Sequence, residues 1–138
     1  YQMNNGLMDR VLYKATHVNH PSCIWTRESS ENYLWLYEHF GALCTEYFHR
    51  YGREHLTQTK LRAVLSILPK NIKRRAMTPM KLAMPDEYRS SDAVESYRNY
   101  YVTKQLNFKM TWAKSNTPEW LSTGYHTLAL PKEYNYDP

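Results

Sequence analysis

Apolar side chains recur at spacings of three and four from Tyr33 through Leu36, Tyr37, Phe40, Leu43, Cys44, Tyr47, Phe48 and Tyr51. That period gathers them on one side of an α-helix over several turns, and it is the clearest periodic signal in the chain. Ser29 and Ser30 stand just before the run, where a hydroxyl can accept the free amides of a first turn. Gly52 stands just after it, where a left-handed residue closes many helices. A long amphipathic helix over Glu31–Tyr51 is the firmest expectation.

Two weaker patterns follow. Leu61, Val64, Leu65 and Leu68 make the apolar stripe of a shorter helix that begins near Thr57 or Thr59 and stops before Pro69, because the residue preceding proline avoids helical angles. Val94, Tyr97, Tyr101, Phe108 and Trp112 mark a second long helix over Asp92–Lys114, with Asp92 and Glu95 resembling a capping box and Asn116-Thr117-Pro118 as its terminator. Tyr97 and Tyr101 are expected to face the core. Residues 69–91 hold Pro69, Pro79 and Pro85 and read as a long connector with room for one helical turn near Pro79–Ala83. Residues 1–22 read as a short helix or turn and then an extended segment, and 122–138 as an extended tail. No stretch alternates for long enough to build a sizeable sheet. The expected architecture is mainly α: a compact single-domain helical bundle over residues 1–138, with two long amphipathic helices, one shorter helix and long irregular connectors.

Composition adds to this picture. At 138 residues the chain has the usual size of one domain and can bury a core without staples. Thirteen residues are Tyr, so the core should be edged with phenols, ring inward and hydroxyl at the rim. Eighteen Lys and Arg against thirteen Asp and Glu give a net charge of +5, which favours an anionic partner. The two cysteines, Cys23 and Cys44, are too few for a disulfide scaffold and fit a reducing, intracellular compartment, with Cys44 buried on the apolar face of the long helix. No apolar run is long enough to span a bilayer, and no membrane association is expected. The chain opens Tyr1-Gln2-Met3, which suggests a piece lacking its native N-terminal segment.

Candidate chemistry gathers at a few places. Thr16 to Cys23 carries His17, His20 and Cys23; a structural zinc site takes four ligands, and no partner pair at finger-like spacing follows, so no metal is expected. Its histidines either bond backbone groups and hold the loop or serve a pocket as phosphate donors or general acid/base groups. Next comes Arg27-Glu28 before the long helix. A helix N-terminus suits an anion, Arg27 can clamp phosphate, and Glu28 is either its ion-pair partner or a catalytic carboxylate. Glu46 and Arg50, four apart, need only be a surface ion pair. Lys70, Lys73, Arg74 and Arg75 form the densest basic run, suited to a nucleic-acid backbone without reading sequence. In Tyr97-Arg98-Asn99-Tyr100-Tyr101 with Lys104, the cations Arg98 and Lys104 are the candidates to meet phosphate.

His17-Val18-Asn19-His20-Pro21-Ser22-Cys23-Ile24-Trp25-Thr26-Arg27-Glu28-Ser29, Asn32-Tyr33, Glu46-Tyr47, Arg50-Tyr51-Gly52, Met84-Pro85-Asp86-Glu87-Tyr88, Tyr97 to Tyr101 and Pro118-Glu119-Trp120 together resemble a family of small phage and environmental-virus proteins described as pyrimidine dimer DNA glycosylase-like. The resemblance covers about residues 12–121. It implies an all-helical protein that acts on DNA inside the infected host cell. Glycosylases of the phage endonuclease V type attack the sugar C1′ with an α-amine at the chain start, helped by a nearby carboxylate, and the resulting Schiff base permits strand cleavage. This chain begins at Tyr1, so no nucleophile is carried over. The expected function is viral DNA binding, of a repair glycosylase/AP-lyase kind or as a non-catalytic nucleic-acid-binding or structural module. Arg27, Lys70, Lys73, Arg74, Arg75, Arg98 and Lys104 would contact the phosphates of duplex DNA, His17, His20 and Glu28 would serve catalysis, and no cofactor is expected.

Overall fold

The computed structural model describes residues 11–127, and the described residues are mainly helical with no strand. The chain divides into two compact units, residues 1–83 and 84–138.

In the first unit a turn closed by the His20 amide on the His17 carbonyl (2.9 Å) leads into α1, Pro21–Glu28. The sequence reading placed extended chain here. Pro21 is the reason for the difference: it sits in the first turn, where its missing N–H costs nothing and its fixed φ suits a helix. Ser29 is extended (φ −151°, ψ 159°), and α2 follows as Ser30–Tyr51. The Ser29 hydroxyl accepts the Asn32 amide at 3.1 Å, the expected cap. Gly52 ends the helix in the left-handed region at φ 66°, its amide bonded to the Phe48 carbonyl at 2.7 Å. α1 and α2 pack against each other across this elbow.

α3, Leu56–Leu65, lies earlier than expected, starting before Thr57 and ending three residues before Leu68. Ser66 rather than Pro69 closes it, with its hydroxyl on the Ala63 carbonyl at 2.7 Å. Phenols on α2 complete this end. Tyr33 donates to the Leu65 carbonyl at 2.8 Å and Tyr37 to that of Arg62 at 3.2 Å. Both carbonyls belong to the last turn; that of Leu65 is among the acceptors a helix end leaves open, while that of Arg62 also accepts the Ser66 amide at 3.2 Å. The phenol-edged packing read from composition thus has a definite task. Trp25, Cys44, Leu61 and Ile72 are buried in this unit. Leu36, Leu43, Phe48 and Tyr51 of the predicted apolar face are largely exposed, so the inward stripe of α2 is the narrower line of Tyr33, Tyr37, Phe40, Cys44 and Tyr47.

The helical turn expected near Pro79–Ala83 is absent, and the second unit instead has a 3₁₀ turn at Asp86–Tyr88. α4 spans Ala93–Lys104 and ends ten residues before Lys114, the expected end of this helix. Asp92 caps it as anticipated, its carboxylate accepting the Glu95 amide at 2.7 Å. At the far end the amides of Leu106 and Asn107 bond three residues back, to Thr103 and Lys104, tightening the last turn and stopping the helix. Phe108 and Trp112 therefore lie beyond α4 and give it no face. The core residues of α4 are Ser96 and Val102, while Val94 and Tyr101 are about half exposed, so Tyr101 does not turn inward. Ser96 is fully buried because its hydroxyl accepts the Ser90 amide (2.8 Å) and donates to the Asp92 carbonyl (2.7 Å). Pro118 opens α5, Glu119–Thr127, instead of ending the previous helix; its carbonyl accepts the Leu121 amide at 2.9 Å. Residues 122–127 of the expected extended tail are thus helical, and the rest of that segment lies outside the described residues, as do residues 1–10. α4 and α5 pack together, with Val102 and Leu121 buried.

A glycine inside α2 and the one that caps it separate backbone conformation from packing, because a Cβ at Gly41 or Gly52 meets nothing within 4 Å. Gly52→Ala should destabilise the protein by about 1 kcal/mol, because alanine is strained at φ 66°. Gly41→Ala, inside the helix, should stabilise it by up to about 1 kcal/mol. Urea unfolding of both variants checks the opposite signs.

Candidate nucleic-acid interface

The predicted basic run does not hang loose. Residues 73–78 cross the α1–α2 elbow as an irregular strap, held almost entirely by polar groups of that elbow. The Ser30 amide donates to the Lys73 carbonyl at 2.9 Å. The Ser30 hydroxyl accepts the Arg75 amide at 3.1 Å and donates to the Arg75 carbonyl at 3.2 Å. Asn32 is completely buried and uses every donor of its amide: Nδ2 reaches the Trp25 carbonyl and Thr78 Oγ1, both at 2.7 Å, and Oδ1 accepts the Thr78 amide at 3.0 Å. The Trp25 indole donates to the Thr78 carbonyl at 2.9 Å. Both backbone groups of Thr78 are therefore satisfied by side chains, as a neighbouring strand would satisfy them.

The chain of bonds ends on a carboxylate. The Thr78 hydroxyl donates to Glu28 Oε2 at 2.9 Å, and Lys81 Nζ lies 3.5 Å from Glu28 Oε1. The Glu28 side chain is mostly buried, with 24% exposure. The Arg75 guanidinium donates from Nε to the Glu28 carbonyl at 2.8 Å, at the C-terminal end of α1, where a cation is favoured.

The strap thus brings together three predicted site residues, Glu28, Lys73 and Arg75, and leaves the neighbouring side chains facing outward. Lys70, Lys73 and Arg74 are exposed and make no side-chain hydrogen bond or ion pair among the described residues. Between Glu54 and Asp86 the chain carries seven cations, Lys60, Arg62, Lys70, Lys73, Arg74, Arg75 and Lys81, and no acidic residue. Arg27 points elsewhere, donating from Nη2 to the Val18 carbonyl at 2.8 Å, which pins the turn before α1. His17 holds that turn in the left-handed region at φ 51°, a strained conformation for a residue with a side chain. His20 is the N-cap of α1, its Nδ1 accepting the Ser22 amide at 3.2 Å. His55 does the same for α3, accepting the Thr57 amide at 3.1 Å. Arg98 and Lys104 belong to the second unit. There Arg98 lies over the Trp120 ring at 5.6 Å, and Lys104 over the rings of Tyr100 at 4.5 Å and Phe108 at 5.7 Å. Arg50 pairs with Glu46 at 2.6 Å as a surface i,i+4 bridge.

Several residues of this surface were not singled out from sequence. Thr78 and Lys81 complete the Glu28 environment. Trp35 stands edge-on to Trp25, ring centroids 5.7 Å apart, and His39 lies almost parallel to Trp35 at 5.3 Å with 9° between planes. The available signal was the sequence Asn32, Trp35, His39, which puts three unusual residues on one helical face beside a cap. Among the described residues no three His, Cys, Asp or Glu side chains converge as metal ligands, and no helix is long and apolar enough to cross a membrane. Cys23 and Cys44 are both free thiols, and Cys44 is buried as expected. No protein-family model, curated protein or solved structure matches the chain.

Replacing Asn32 by Ala would leave the partly buried Thr78 amide and the Trp25 carbonyl without these partners. The variant should lose about 3 kcal/mol of unfolding free energy by urea titration, far above the loss for an exposed helical Asn.

Proposed function

We propose that the chain is a viral DNA-binding protein that grips the phosphate backbone of duplex DNA, with Lys70 and the strap cations Lys73 and Arg74 as its main contacts. The observation that carries this reading is an exposed cationic segment, without a single acidic residue from 55 to 85, fixed in place by partly buried hydrogen bonds to Ser30 and Asn32. Cations on a fixed backbone need only their side chains ordered when phosphate arrives, so less affinity is lost to entropy. Arg98 and Lys104 of the second unit are further phosphate candidates. The resemblance to glycosylase-like phage proteins extends the proposal to base excision and strand cleavage inside the reducing interior of an infected cell, which suits two free thiols. In that version Glu28, held beside the strap by Thr78 and Lys81, is the carboxylate of the site, and His17 and His20 flank it along the chain.

A second reading is a non-catalytic DNA-binding module of the same fold. Glu28 favours it, because its two oxygens already serve Thr78 and Lys81 in a structural role. Borohydride reduction of the full-length protein in the presence of abasic-site duplex separates the two: a trapped covalent adduct supports the lyase, and its absence supports the module.

Binding to either damaged or plain duplex should weaken steeply with salt. The triple variant Lys70→Ala, Lys73→Ala, Arg74→Ala should lower the slope of log K against log salt by about 2 to 3, roughly one unit per lost phosphate contact. An unchanged slope, or no duplex binding at low salt, contradicts the proposal. Arg75 is kept in this variant because its guanidinium and amide hold the strap.

A further inference from the structure

We propose that this surface takes nucleic acid with unpaired bases, and that the Trp35–His39 stack is where one base docks. The inference rests on the phosphate-binding reading of the strap and names the form of ligand it suits.

Trp35 and His39 lie one turn apart on α2, with their rings nearly parallel and offset. Trp35 retains 36% of its surface in solvent, and His39 is exposed. The pair is not a loose surface contact. Trp35 abuts Trp25, and Trp25 is buried and bonded through its indole to the Thr78 carbonyl of the strap. The aromatic stack and the cationic strap are thus built on the same tryptophan, one ring apart.

Binding sites for single strands need these two parts together: a cationic path for the backbone and an aromatic plane for a base. A duplex uses only the first, because its bases are stacked inside. The charges along α2 sharpen the division of labour. Glu31 and Glu38 flank the stack in sequence and repel phosphate, and Glu28 is paired with Lys81. Attraction for the backbone therefore comes from the strap, while the stack contributes through ring contact alone. Removing the stack should weaken binding of unpaired bases without touching the salt dependence.

The test uses the whole chain and three probes of equal nucleotide length: oligo-dT, oligo-U and a blunt DNA duplex, each titrated over a range of salt. Both single strands should bind more tightly than the duplex and quench tryptophan emission; the ratio of dT to U affinity tells whether DNA or RNA is the preferred source. His39→Ala and Trp35→Leu should each weaken single-strand binding about fivefold or more, with the salt slope and duplex affinity unchanged. His39→Phe, which keeps a plane, should retain the affinity. Because Trp35 also packs on Trp25, His39→Ala with unchanged helicity is the decisive variant if Trp35→Leu fails to fold. Salt-dependent duplex binding with no preference for single strands, or a folded His39→Ala variant with undiminished single-strand affinity, overturns this inference and leaves the phosphate reading standing. No binding to any probe at low salt overturns both.

Discussion

The buried amide of Asn32 is the constraint on which the first unit depends. It sits in the first turn of α2 and closes three bonds at once, two to Thr78 and one to the last turns of α1. Its two donors and its acceptor have no water to fall back on, so an alternative path for the strap would strand them. Polar specificity of this kind is directional in a way that apolar burial is not. Burying Trp25 and Ile72 holds the elbow and the segment after α3 closed, but would tolerate a strap shifted by a residue. Asn32 and Ser30 would not, because each reads both a donor and an acceptor at fixed positions of that strap.

The same bonds decide what faces outward. With Thr78 and Arg75 pinned by backbone, the cations between α3 and residue 81 are carried on a fixed line, and the Thr78 hydroxyl is committed to Glu28. Trp25 links that line to Trp35 and His39. A single polar junction thus sets the backbone of the cationic segment, the surroundings of the one mostly buried carboxylate beside it, and the plane of the neighbouring aromatic pair. In the second unit the cations take a different form. Arg98 and Lys104 are poised over aromatic rings, where their heads are steadied by π faces rather than by backbone bonds.

Where structure is local, the sequence announces it. Ser29 and Gly52 bracket α2, and Asp92 caps α4, because a cap needs only its own helix to act. α1 was hidden because its cap is the imidazole of His20, outside the usual set of Ser, Thr, Asp and Asn, although Pro21 at its first turn was a fair sign. The apparent length of the last long helix came from Phe108 and Trp112, which continue the spacing of α4 but not its backbone. The basic run was legible as charge, and its order was not. Nothing within residues 70–78 reveals that Ser30 and Asn32, more than forty positions earlier, complete their backbone bonds. The Trp35–His39 stack was visible only as two residues four apart, and its significance comes from Trp25 meeting Thr78 through space. Long-range polar pairing of this kind has no period to read.

Amide hydrogen exchange across the strap tests the account most directly. The Thr78 and Arg75 amides, bonded to Asn32 and Ser30, should exchange slowly, with opening free energies approaching those of the α2 interior, while the Met77 amide between them exchanges fast. If Thr78 and Arg75 exchange as freely as Met77, the strap is not held by the elbow, and the fixed cationic line built on it fails.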